Sequence, residues 1–310
     1  MTVSSPEPTP IVPVLRHIVH PSDFSEASRV AFAHALKVAL IAKSKLSLIH
    51  ETDDEEREWS EFPSVLEMLR RWGILPTDSG AEAVDSLGID VAKIIGSSAD
   101  PVEGVLTYLR EHEADLIVIA THRHGFDWLR KSISEPIARK SGEMTLFVPE
   151  NGRTFISPDD GSVTLRNILI PVAETPAANP AIVGASRLVR QLGCDRGHVT
   201  LLHVGDKDLA LETPNVPGWG WRSLHKKGNV IDVILETAQQ VEADLIVMST
   251  DGRNGFLDAV RGSHSERVLR HGVYPLLAIP ETSSAAGKMK RAENVDWYRE
   301  REHRTRRSAR

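Results

Sequence analysis

ADLIVMSTDGRNGFLDAVRGSHSER, residues 243–267, has a degraded copy upstream, ADLIVIATHRHGFDWLRKSISEP, residues 114–136. Two such stretches in one chain mark an internal duplication. Each copy opens with a short apolar run of strand type, passes through a turn, and reaches Ser-x-x-Glu ahead of apolar residues at helical spacing. In the second copy the turn holds Gly252, then nine residues, then Gly262 and Ser263. The two glycines let a ligand approach the main chain. Ser263-x-x-Glu266 is a capping-box pattern, which starts a helix and leaves its free N–H groups and positive dipole end facing an anion. Gly272 and Pro275 stand where such a helix should stop. The pattern therefore predicts a phosphate-holding turn in the second copy and an altered one in the first.

A chain of 310 residues accommodates two domains that each bury a core, and the duplication supports that division. Hydrophobic residues at 41% and charged residues at 26% are ordinary for a soluble globular protein, so the composition excludes a mainly disordered chain. A net charge of −6 argues against a dedicated nucleic-acid binder, although the last stretch is basic. Cys194 stands alone, which rules out a disulfide framework or a multi-cysteine zinc site within the chain. The first residues lack the basic start and apolar run of a signal peptide, and no segment is apolar for the length of a membrane span. The expected setting is the cytoplasm.

Outward from the repeated stretch, hydrophobic periodicity predicts strands at 16–20, 45–50, 89–95, 115–120 and 144–148, with helices at 26–43, 62–72, 102–111 and 135–140. The second copy repeats the order, with strands at 167–171, 198–204, 244–249 and 276–279 and helices ending near 192, at 230–241 and at 265–271. Strands alternating with helices predict parallel crossovers in a three-layer α/β/α sandwich. Pro21 maps to Pro171, but Asp115 maps to Asp244, so the second copy is shorter by about twenty residues between its second and fourth strands. The segment 205–219 is too short and too rich in proline and glycine for a full crossover helix, and Trp219 and Trp221 alternate as in a strand.

Open parallel sheets bind ligands at the carboxyl ends of strands where the strand order reverses. In the second copy those ends are Pro171, Val172 and Ala173, then Val204, then Met248 and Ser249 leading to Gly252. In the first copy His122, Arg123 and His124 replace the glycines; the turn reads as a polar surface, with anion binding as the alternative. His17 and His20 fall on opposite faces of a strand, which argues against a metal pair. Trp219 and Trp221 are read as filling core, with base stacking as the alternative. No nucleophile elbow, HExxH or Walker lysine occurs, so no catalytic residue is assigned and the chain is not expected to be an enzyme.

The Gly252, nine residues, Gly262-Ser263 arrangement after a DLIVMS strand in a duplicated α/β unit resembles the universal stress protein family in its tandem form. The resemblance covers roughly 16–149 and 166–280; Ser249 stands where the family's leading glycine is usual. It implies two tandem doubly wound, Rossmann-like domains with five-stranded parallel sheets, packed through their final strands as an internal pseudo-dimer. The expected division is a lead-in at 1–14, a first domain at 15–150 with a degenerate nucleotide motif, a linker at 151–165, a second domain at 166–282 with a near-complete motif, and a charged basic tail at 283–310. The family's base-side aspartate falls on Asp23 in the first copy and on Ala173 in the second; its base-contacting valine falls on Glu51 and Val204. Pro171 and Val172 flank that position, Met248 lies on the adenine or ribose side, and Gly252, Gly262, Ser263, His264 and Ser265 on the phosphate side, with Lys131 of the first copy at the place of Gly262. The second copy thus keeps the phosphate cradle without the aspartate, and the first keeps the aspartate without the cradle. Losing one charged hydrogen bond costs roughly 1.5–3 kcal/mol, which weakens a site without abolishing it. The resemblance therefore implies a stress-response regulatory protein that binds ATP or another adenine nucleotide in its second domain, with Mg2+ held through the phosphates. An unknown protein partner, and a homodimer as one arrangement, go with that role; a membrane or nucleic-acid partner does not. Alternatives are a nucleotide-independent interaction module and, behind it, an adenine-nucleotide-utilising enzyme with slow hydrolysis.

Overall fold

A computed structural model describes residues 15–52, 64–122, 133–206, 209, 211–250, 264–271 and 273–281. In the first half, strands β1 (His17–Pro21), β2 (Lys45–Glu51), β3 (Asp90–Gly96), β4 (Leu116–Thr121) and β5 (Thr145–Pro149) alternate with helices α1 (Glu26–Ala42), α2 (Val65–Arg71), α3 (Glu82–Ser86), α4 (Pro101–Glu111) and α5 (Ser134–Ser141). The second half runs β6 (Asn167–Val172), α6 (Asn179–Gln191), β7 (Gly197–Val204), β8 (Trp219–Lys226), α7 (Val230–Gln240), β9 (Leu245–Thr250), α8 (His264–His271) and β10 (Leu276–Pro280). The predicted elements are present, with ends displaced by one to three residues at most positions, where capping rather than periodicity decides.

The helices start where the sequence supplies a cap. Ser25 holds an extended conformation and its side chain accepts from Ser28 N at the start of α1; Asp100 does the same for Val102 N, ahead of Pro101 at the first turn of α4. Helix α1 stops where Lys43 turns left-handed. Its buried face carries Ala27, Ala31, Ala35 and Ala39 around Phe32 and Leu36, so small residues set the helix close against the strands.

All strands join one ten-stranded sheet in the order β3-β2-β1-β4-β5-β10-β9-β6-β7-β8. Every neighbouring pair is parallel except β5 and β10, which meet antiparallel through Leu276 opposite Phe147, Leu277 opposite Leu146 and Ala278 opposite Thr145. The final strands of the two halves therefore fuse two five-stranded sheets, and one apolar cluster runs across both halves on each face. One cluster joins α1, α2, α3 and α6; the other joins α4, α5, α7 and α8. The segment between the halves, which reads as a polar linker, contributes to the first cluster: Phe155 and Ile156 are fully buried, Ile156 bridges to Val163, and the Trp72 indole donates to Pro158 O at 3.1 Å. Two apolar residues in a polar run carry no periodicity, which is why the sequence does not announce this contact.

In the shortened stretch of the second half, β7 leads to β8 through residues 205–218 and the two strands pair in parallel from Gly197 opposite Trp219 to Val204 opposite Lys226. Trp219 is buried and donates from its indole to Cys194 O at 2.8 Å, and Trp221 packs against the same cluster. Both tryptophans thus pack into the first cluster, as the core reading expects. Among the described residues no helix is long and apolar enough to cross a membrane.

Candidate functional site

Each half has one point where the strand order reverses. The chain leaves β1 toward β2 on one side and returns through β4 on the other; β6, β7 and β9 repeat this. At both points the central ladder is short: β1 meets β4 at Ile18 opposite Leu116 and Val19 opposite Ile117, and β6 meets β9 at Ile168 opposite Leu245 and Leu169 opposite Ile246. The hydrogen-bonded register stops there, short of the strand ends, and leaves two crevices at carboxyl ends.

In the first half that crevice is crossed by the protein's own charges. Asp23, just past β1, accepts from Ser25 N at 3.0 Å and Ser25 Oγ at 2.6 Å with one carboxylate oxygen, and meets His122 Nε2 at 2.9 Å with the other. His122 follows β4, and its Nδ1 lies 3.5 Å from Glu150 Oε2 just past β5. Burial pushes the Asp23 pKa up, but hydrogen bonds from His122 and Ser25 outweigh it and hold the carboxyl well below the usual carboxylate range. The hydrogen bond to Asp23 raises the His122 pKa against partial burial, with Glu150 adding to the rise. The anion that His122 meets is thus an internal carboxylate. Arg123, His124, Gly125 and Lys131 lie outside the described residues.

Behind this pair lies a buried polar chain. His20 donates from Nδ1 to Val118 O at 2.8 Å, its Nε2 sits 3.3 Å from Ser28 Oγ, and Ser28 Oγ donates to Ser22 Oγ at 2.9 Å. His17 points to the opposite face, with Nδ1 on Glu113 O and Nε2 2.8 Å from Ser47 Oγ. Both histidines are engaged within the fold, on opposite faces as the alternation predicts. Glu51, at the place of the base-contacting valine, accepts from Ser98 N at 3.2 Å, in a pocket that Gly96 and Gly104 leave open and side chains there would fill.

In the second half Ala173 brings no carboxylate, and the neighbouring strand ends serve α6 instead. Helix α6 begins at Ala178 without a side-chain cap of its own. Ser249 Oγ on β9 accepts from Ala181 N at 3.1 Å, and the Glu281 carboxylate past β10 accepts from Ala177 N. Ser249 thus directs its hydroxyl to the start of α6. Pro171 is half-buried and Val172 buried at the end of β6, Val204 is half-buried at the end of β7, and Met248 is buried on β9. These residues stand on the three strands that flank the second crevice. Helix α8 begins at His264, which is exposed, with Ser265 buried beside it. Gly252, Gly262 and Ser263 lie outside the described residues.

The sequence pattern that defines the Universal stress protein family matches residues 15–149 and 221–280, well over half of the chain. The chain belongs to the universal stress protein family. The second match begins inside β8, so β6, α6, β7 and the shortened stretch after them, part of the expected resemblance at 166–280, fall outside it. A universal stress protein from Archaeoglobus fulgidus DSM 4304 shares this fold with TM-score 0.55 at 17% identity, over 85% of this chain and 96% of that one. A functionally unknown protein from Pseudomonas aeruginosa PAO1 does so with TM-score 0.58 at 14% identity, over 91% and 98%. No curated protein matches the sequence. In this universal stress protein, sequence reasoning missed the pairing of Asp23 with His122 and the caps supplied to α6. The first had a signal in a histidine standing where the other copy has Asp251; the second had none, because Ser249 and Glu281 lie far from α6 in sequence.

Proposed function

We propose that the second half binds an adenine nucleotide, ATP in the first instance, and that its occupancy changes how a protein partner in a stress response is engaged. The observation that carries this is the contrast at the two switch points: the first crevice holds the Asp23–His122 ion pair, whereas Ala173 leaves the second without a carboxylate at that place. The polar groups around the second crevice are compatible with a nucleotide, since Ser249 is turned to the start of α6 and Val172, Val204 and Met248 offer apolar contact for a base. Gly252, Gly262 and Ser263 would meet the phosphates through main-chain N–H groups, with Mg2+ bound through the phosphates themselves. The role is binding and regulation in a cytoplasmic setting, without turnover as its purpose.

The test is to denature freshly purified protein, identify released nucleotide by chromatography and mass spectrometry, and repeat with Gly262→Val. The expected result is about one adenine nucleotide per chain, lost in the variant. Absence of nucleotide from the wild type, with no thermal shift on adding ATP and Mg2+, would overturn the proposal in favour of an interaction module that works without nucleotide.

A further inference from the structure

Among the described residues the sheet ends on β8, whose one strand neighbour is β7. The two run in unbroken parallel register over all 8 residues of β8, Trp219–Lys226, and the strand contains no proline. The bonds at either end of this ladder tell which peptide groups are spent on β7. Gly197 N donates to Gly218 O at 3.2 Å, and Gly205 N donates to Lys226 O at 3.1 Å. Peptide direction alternates along a strand, so Gly220, Arg222 and Leu224 also face β7, while the N–H and C=O groups of Trp221, Ser223 and His225 face away from it. Gly220, Arg222, Ser223 and His225 are exposed.

A long, regular edge invites another chain, and proteins guard such edges with proline, a bulge or charge. At the opposite end of the sheet β3 carries charges of both signs, Asp90 and Lys93. On β8 the charge has one sign. From Thr213 to Ile231 the sequence contains no acidic residue, while Arg222, Lys226 and Lys227 follow along the strand and just past its end. Arg222 Nε donates to Thr200 Oγ1 at 2.8 Å, and Lys226 Nζ donates to Thr237 Oγ1 at 2.9 Å and Gln240 Oε1 at 2.7 Å, all neutral acceptors. Lys227 meets Asp206 at 2.7 Å in an exposed pair, which solvent keeps weak. The rim of β8 is therefore positive. A second copy pairing through the same edge would set two basic rims side by side, so like charges oppose that occupant.

We propose that the β8 edge is a docking site for an extended acidic segment of a partner protein, which adds to the sheet as a further strand. Main-chain bonds to Trp221, Ser223 and His225 supply the pairing, and glutamate or aspartate side chains that meet Arg222, Lys226 and Lys227 select the partner. This gives the partner invoked above a surface and a chemistry. Its test contains no nucleotide, so it and the nucleotide reading fail separately.

The experiment follows a labelled octapeptide of alternating glutamate and valine by fluorescence polarisation against the full chain, with the lysine–valine octapeptide as its control. The glutamate peptide is expected to bind, more weakly as salt rises, and to slow hydrogen exchange at the amides of Trp221, Ser223 and His225. That exchange is read on the wild type, so it decides the case whether or not a variant folds. Ser223→Pro removes one outward donor and spares the bonds to β7; it should weaken binding about tenfold, while Ser223→Ala, which keeps the donor, leaves it unchanged. Arg222→Glu should also weaken the glutamate peptide about tenfold. No binding of the glutamate peptide, equal binding of the lysine peptide, or unchanged exchange at the three amides overturns the proposal. So does binding that Arg222→Glu removes and Ser223→Pro leaves intact, because charge would then act without strand addition. Self-association of the wild type that Ser223→Pro abolishes would assign the edge to a second copy instead.

Discussion

The two halves share a topology and a pair of crevices, yet they use the strand ends for opposite purposes. In the first half the residues past β1, β4 and β5 bind each other, as Asp23, His122 and Glu150 do. In the second the residues at the ends of β9 and β10 serve helix α6, as Ser249 and Glu281 do. Helix α1 has Ser25 as its own cap, which leaves the nearby strand ends free to pair with one another. Helix α6 has none, and recruits caps from the sheet. A duplicated fold can therefore keep its frame while redistributing the polar groups around one opening, because backbone pairing in the sheet does not depend on which side chains stand past the strand ends.

The largest expected way to separate the halves is acid. His20 and His34 are both fully buried in the first half, and burial pushes each down to about 4. Their counterparts in the second half are Ile170 and Gly184. A histidine whose folded pKa is depressed binds fewer protons in the native state than in the unfolded one, so stability falls as pH drops below the unfolded value near 6.5 and levels off near 4. At roughly 1.4 kcal/mol per pKa unit, each histidine removes on the order of 3 kcal/mol by pH 4. His122 acts in the opposite sense, because its raised pKa gives stability that is complete below 6.5 and is lost as pH rises through its folded value. Denaturant melts between pH 7 and 4 should show the first half losing stability first, with His34→Leu removing part of the slope. Equal acid sensitivity of the two halves would contradict the burial of these rings as the cause.

Next comes the shared seam. Phe155→Ala empties a fully buried site against His34, where the rings lie 4.8 Å apart edge to face, and is expected to cost about 3–5 kcal/mol. Because Phe155 joins the cluster common to both halves, the loss should lower the melting of the whole chain in calorimetry. A loss confined to the transition of one half would show that Phe155 supports that half alone.

Smaller effects probe the caps and the ion pair. Ser249→Ala removes the cap of α6 and Ser25→Ala that of α1, each expected to cost about 1 kcal/mol in chemical denaturation; a neutral Ser249→Ala would mean that Glu281 alone satisfies α6. Smallest in stability is His122→Ala, since partly exposed ion pairs contribute about 0–1 kcal/mol. Its informative readout is titration. Asp23→Asn should bring the His122 pKa down toward the ordinary histidine value, followed by ring NMR shifts, and an unchanged His122 titration would remove Asp23 as the cause of its rise.

How far the site was legible follows from the range of each interaction. Strand ends such as Pro171, Val172, Val204 and Met248 were located because alternation and helical spacing are local properties of the chain. The duplication added the correspondence of Pro21 with Pro171 and of Asp115 with Asp244. What sequence could not supply is which partner each polar end chooses: Asp23 and His122 are ninety-nine residues apart, and Ser249 meets a helix sixty-eight residues upstream.

The sequence by itself determined the alternation of strands and helices, the duplication and the missing crossover helix before β8, since periodicity and segment length are written residue by residue. Tertiary structure alone decided that Phe155 and Ile156 close the core between the halves, that Asp23 is bound by His122, and that Phe24 covers His50. These depend on where strands stop pairing and on side chains meeting across the sheet, and distance in the chain carries no trace of distance in space.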